Sequence, residues 1–128
     1  MIPGGVLALL LVQAVSTAPA ISGQGASVAD FLARAQAVRK LGDAAATSSE
    51  LASIKAEVAA ITRAYRADLA KQKAAGQPTH SCPPDRSGLT SANLMADLNQ
   101  VPVELRATTS VRSVYYAMMK KRYPCPFP

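Results

Sequence analysis

The run from Leu51 to Tyr65 constrains the fold most. Leu51, Ile54, Val58, Ile61 and Tyr65 recur at 3-4-3-4 spacing, and Leu69 extends the series slightly off register. That period places all five side chains on one stripe of an α-helix and no strand can use it. Alanine fills most flanking positions, so a partner helix can approach closely. Thr47 and Glu50 are spaced as a capping box at the start, and Gly76 and Pro78 end the segment.

Similar signals flank this helix. Ser27 reads as an N-cap with Asp30 in the first turn, followed by an apolar stripe of Val28, Phe31, Ala35 and Val38 beside Leu32. Arg39 and Lys40 then suit a helix C-terminus, with Gly42 just beyond. The first two helices, within residues 26–76, are expected to form an antiparallel hairpin. A heptad seam also pairs two copies of a chain, so a homodimer is the competing expectation. Beyond it, His80-Ser81-Cys82-Pro83-Pro84 is held extended by its prolines. Thr90 or Ser91 caps a short helix carrying Leu94, Met95 and Leu98 that ends by Pro102. Thr109 or Ser110 caps the last one, with Val111, Val114, Tyr115 and Met118 inward and Lys120, Lys121 and Arg122 at its end. Of the adjacent Tyr115 and Tyr116, which point about 100° apart, Tyr116 is expected to face solvent. The expected fold is all-α: a small single-domain bundle of about four helices in two pairs.

The chain has two cysteines, no Trp and 5% aromatic residues. Its core is therefore thin, and a disulfide is the usual compensation in an exported protein. Cys82 and Cys125 are the sole intramolecular pairing, and the bridge would close the helical pair of residues 80–126. Export is read from the first twenty residues, which carry no charged side chain. Val6 to Val15 is an apolar run of signal-peptide length, too short to span a bilayer, and Ala18-Pro19-Ala20 is an A-x-A cleavage site. A signal peptide over 1–20, cut after Ala20, leaves a domain of residues 21–128 with no stable membrane insertion. Met1–Gly5 has no Lys or Arg, so an uncleaved N-terminal anchor is the alternative.

Candidate chemistry is sparse. The G-x-G-x-x-G, P-loop, H-E-x-x-H and G-x-S-x-G patterns are missing, and His80 is the single histidine. Cys82 with His80 could form a nucleophile or metal site, but in an oxidising compartment they read as a disulfide cysteine beside a loop histidine. No catalytic, cofactor-binding or metal-binding residue is expected, and no enzyme. The charge of +6 is spread over all the helices, with one run at Lys120-Lys121-Arg122. An acidic protein surface or envelope component suits it better than nucleic acid.

The C-terminal part resembles the Rap/Tai family of periplasmic immunity proteins associated with type VI secretion. The residues that carry the likeness are Cys82-Pro83-Pro84, Thr90-Ser91, Leu94, Leu98, Pro102, Val114, Ala117 and Tyr123-Pro124-Cys125-Pro126. They span roughly 45 positions; the family's first half commonly has a further Cys and a Tyr/Gly pattern, where this chain has an Ala-rich, Cys-free hairpin. The resemblance implies a small all-α periplasmic protein, often a homodimer, that binds and blocks a toxic cell-wall amidase. It identifies no partner-binding residue. The alternatives are a small disulfide-bonded envelope chaperone or stress protein without a dedicated toxin, and a membrane-anchored interaction module. Eight carboxylates and one His are a modest supply for an acid-triggered chaperone.

Overall fold

A computed structural model describes residues 25–126. The expected leader, 1–20, and its cleavage after Ala20 lie outside the described residues. The fold is all-α, with helices α1 (Val28–Arg39), α2 (Ser49–Ala74), α3 (Ser91–Gln100) and α4 (Val111–Arg122). Two short 3-10 segments, Gly42–Thr47 and Val103–Leu105, lie between α1 and α2 and between α3 and α4.

The caps explain where each helix begins. Ser27 accepts from the Asp30 amide, and Ser110 from the Ser113 amide. Thr90, not Ser91, caps α3, and its box is closed by Asn93, whose side chain reaches back to the Thr90 amide. The capping box expected at Thr47 and Glu50 is not formed. Ser48 caps α2 by accepting from the Leu51 amide, Thr47 ends the 3-10 turn, and Glu50 pairs with Arg34. Thr47 is taken up by the preceding 3-10 turn, which moves the cap one residue on, to Ser48. At the other end of α2, Gln77 N–H donates to Gln72 O and Gly76 N–H to Lys73 O. Gly76 takes a φ of +67° there, a left-handed conformation that favours glycine.

Helix α2, at 26 residues, is more than twice the length of any other and serves as the spine. Its first half carries α1, where Arg34 bridges Glu50 and Glu57, two turns apart on α2. Its second half carries α4, where Arg112 and Tyr116 reach Asp68. Helix α3 packs on α1 and α4. The starts of α1 and α4 are stitched together. Val28 N–H donates to Thr109 O at 2.8 Å, and Val111 N–H to Ala26 O at 3.0 Å, forming an isolated antiparallel bridge between Ser27 and Ser110. The two cap serines are buried at this joint.

One core runs through all four helices, through Val28, Phe31, Ile54, Tyr65, Leu98 and Met119 among others. The two helical pairs are thus not separate layers. Of the inward residues expected on α4, Val111, Tyr115 and Met118 are buried and Val114 is half-buried; Met119 joins them. Cys82 and Cys125 are bonded, with their Cα atoms 4.9 Å apart. The bridge joins the segment after α2 to the end of α4, beside a 2.8 Å bond from Cys82 N–H to Tyr123 O.

Two stability measurements follow. The bridge spans 43 positions, which by loop-closure entropy stabilises the fold by about 4 kcal/mol. Cys82→Ser should therefore lower Tm by on the order of 20 °C in a thermal melt; an unchanged curve on adding reductant would contradict this. Ser48→Ala should cost about 1 kcal/mol and Thr47→Ala much less, read by denaturant unfolding.

Candidate functional site

The polar centre of the molecule is built on Tyr65, which is fully buried. Its position on the α2 seam, four residues after Ile61, turns it toward α4 and the proline-held segment. Its hydroxyl shares a hydrogen bond with Ser81 Oγ, which lies 3.1 Å from His80 Nδ1. The backbone of His80 is held by its amide, which donates to Gln72 Oε1 at 2.7 Å. Tyr65, Tyr115, Tyr116 and His80 meet edge to face, with ring centroids 5.3–6.5 Å apart. These arrangements suit the ring quadrupoles. Burial pushes the Tyr65 hydroxyl up from its ordinary pKa.

A second network lies beside it. Tyr116 is half-buried, not solvent-facing as its position next to Tyr115 suggested. Its hydroxyl donates to Asp68 Oδ2, Arg112 donates to the same oxygen at 3.2 Å, and the Arg112 guanidinium stacks 5.2 Å from the Tyr116 ring. The Tyr116 hydrogen bond, more than the Arg112 charge, holds the Asp68 carboxyl below its usual range.

A serine hydroxyl against an imidazole resembles a nucleophile with its base, but Ser81 is only 1% exposed. No substrate carbonyl can reach a hydroxyl so enclosed, and the cluster is read as the packing of α2 onto α4. Cys82 is committed to the bridge, so the alternative of a Cys82 and His80 nucleophile has no thiolate to work with. Among the described residues, no group of three or more His, Cys, Asp or Glu side chains is placed to hold a metal ion. No helix among them is long and apolar enough to cross a membrane.

Two grooves offer accessible surface instead. The first, about 730 Å³, runs along α1 from Ala29 to Lys40 and is closed by Asn99, Val103 and Arg106. Arg106 is fixed there by donating to Val101 O at 2.8 Å and to Asn99 O at 2.9 Å. Val103, which lines it, is 73% exposed; Leu41 and Leu105, next in sequence to Lys40 and Arg106, are 48% and 50% exposed. The second, about 700 Å³, opens between α1, α2, α3 and the segment leading into α3. Half-buried Leu51, Val58, Leu89 and Met95 wall it, over a floor of Phe31 and Met118.

The grooves adjoin at Arg39 and Asn99, which line both. Every charged side chain lining either is a cation: Arg39, Lys40 and Arg106 in the first, Arg39 and Lys55 in the second. The ion pairs among the described residues use Arg34 and Arg112, so Arg39, Lys40 and Lys55 are in none. The even charge spread expected along the helices thus becomes local once the chain folds. Periodicity assigned Leu51, Val58 and Met95 to packed stripes and gave no signal for either groove.

His80 provides a pH test. Burial, then the nearby Lys120 charge, hold its folded-state pKa below the ordinary value of 6.5. The unfolded chain therefore takes up the proton first. The neutral ring's contribution to stability is complete above pH 6.5 and is lost as pH falls below it. Tm measured from pH 7.5 to 5 should fall more steeply for the wild type than for His80→Gln; parallel profiles would contradict the assignment. Asp68 stays out of this window, because its lowered carboxyl loses its proton well below it.

No protein-family model, curated protein or solved structure matches this chain, so what the grooves bind is argued from their own chemistry.

Proposed function

We propose that this chain is an exported inhibitor of the immunity type, which acts in the periplasm by binding a toxic cell-wall amidase and covering its active site. The observation that carries this reading is the α1 groove. Val103 presents a large apolar side chain to solvent beside Arg39, Lys40 and Arg106. An exposed apolar side chain rimmed by polar groups is a common mark of a protein-binding patch. A complementary partner surface carries carboxylates around an apolar protrusion.

Two further features support the reading. The Cys82–Cys125 bridge suits a protein that works in an oxidising compartment. It also stiffens the part of the chain that resembles the immunity family. Steric blocking asks for a rigid surface, and α3, α4 and the bridge provide one without any reacting group.

The test is capture of the mature chain, residues 21–128, expressed with a C-terminal tag in an oxidising periplasm. A near-stoichiometric peptidoglycan hydrolase that survives a high-salt wash and loses activity in the complex is the expected result. Arg39→Glu combined with Lys40→Glu should then slow association about tenfold or more, with Tm lowered by the unfavourable charge at the end of α1 but the fold retained. Many substoichiometric partners, with no hydrolase inhibited, would instead favour the envelope chaperone.

A further inference from the structure

The polar chain beneath the aromatic cluster holds as many hydrogens as it has places for. Three groups stand in line, the Tyr65 hydroxyl, the Ser81 hydroxyl and His80 Nδ1, and two hydrogen bonds join them. With the ring neutral and its hydrogen on Nε2, Tyr65 donates to Ser81 and Ser81 donates to Nδ1. Both hydroxyl hydrogens are then used, and among the described residues no buried side-chain polar atom lacks a partner. Protonating the ring puts a third hydrogen on Nδ1. Two bonds cannot take three hydrogens, so one is left without an acceptor whichever way the hydroxyls turn. Swinging the ring out to solvent does not repair this, because Ser81 then loses its own acceptor. Tyr65 is fully buried and Ser81 is 1% exposed, so the orphaned hydrogen is enclosed away from solvent, where it is costly.

The surroundings do not offset that cost. Tyr65 on α2 and Tyr116 on α4 meet the ring edge to face, with centroids 6.3 and 5.6 Å away. Lys120 on α4 adds a like charge, and burial acts in the same direction. Asp68, the carboxylate behind Tyr116, is taken by that hydroxyl and by Arg112. What can give way is set by how the segment is held on each side. Cys82 is fixed by the bridge and by its N–H bond to Tyr123 O, and Arg66 of α2 donates to Pro84 O at 3.1 Å. Before Ser81 the holds are side chains: Gln72 Oε1 on the His80 amide, and the Thr79 hydroxyl 3.5 Å from both sulfurs. Residues 76–78 ahead of them are exposed. We infer that the His80, Ser81 and Tyr65 chain is a proton-operated latch: one proton on the His80 ring frees His80 and Ser81 from α2 and lets water reach the Tyr65 hydroxyl, while Cys82 and the four helices stay in place. The latch stands apart from the inhibitor reading and holds whether or not that reading does.

Nuclear magnetic resonance on the oxidised protein tests this. At pH 7.5 the imidazole nitrogens should report the Nε2–H tautomer, with Nδ1 accepting. As pH falls through the His80 titration, exchange of the His80 amide, divided by its intrinsic rate at each pH, should rise about tenfold or more, the effect of one unmade buried hydrogen bond. The Cys82 amide and the amides inside α2 and α4 should keep their protection. His80→Gln, which takes up no proton in this range, should show no such rise at position 80; the wild-type titration decides if that variant does not fold. An Nδ1–H ring at pH 7.5 would overturn the proposal, since the third hydrogen would already be in place. Unchanged exchange at His80 across its titration would overturn it too, as would the same rise in His80→Gln. Equal gains at Cys82 and throughout the helices would mean global unfolding and no latch.

Discussion

The buried Tyr65 is the contact on which the tertiary structure depends. In a chain without tryptophan it is the largest fully enclosed side chain, and it joins α2 to both α4 and the proline-held segment. Its ring packs on Tyr115 and Tyr116 of α4, and its hydroxyl is satisfied by Ser81 in the proline-held segment. A phenol of this size is tolerated in a thin core only because its one polar atom has a partner. That partner is placed by local chemistry: Pro83 and Pro84 keep the segment extended, Gln72 holds His80, and the bridge pins Cys82. The disulfide therefore acts twice. It restricts the unfolded chain, and it keeps Ser81 where Tyr65 needs it.

Much of this was legible in the sequence, for reasons that differ by element. The helices are read from period, because each stripe is a local property of ten to twenty residues. Ser27 as a cap and Gly76 as a terminator are equally local. The bridge follows from counting, since two cysteines leave one intramolecular pairing. What was not legible is what depends on contacts distant in sequence. Its neighbour Tyr115 takes the core, yet Tyr116 is also drawn inward, because Asp68, 48 positions away, accepts its hydroxyl. The α2 cap falls on Ser48 and not on Thr47 because of a 3-10 turn that no periodicity marks. The Ser27 and Ser110 joint pairs two caps whose sequence signals were independent of each other.

The grooves lie at the far end of that scale. Leu51, Val58 and Met95 each belong to a correct apolar stripe, but a stripe does not say whether its face is fully covered. Coverage depends on helix lengths. Helix α2 has 26 residues, whereas α1 and α4 have 12 each and α3 has 10. The shorter helices share the spine between them, and a slot is left where α1, α2 and α3 do not close. The same arrangement gathers Arg39, Lys40, Lys55 and Arg106 along two adjoining grooves, although they are scattered over three segments of the sequence. Positive potential concentrated in a concave, weakly polar surface is felt further into solvent than the same charges dispersed.

The bridge also has a mechanical consequence. Residues 82 and 125 sit a few ångströms apart in the folded protein and remain so under tension, because the covalent bond carries the load. A force applied between the two ends of the domain can peel α1 from the spine and then unravel α2. It cannot extend the 43-position loop that holds α3 and α4. About 150 Å of contour is withheld from the stretched chain. Pulled from its ends, the molecule is a tether with a knot-like bead at its C-terminal end.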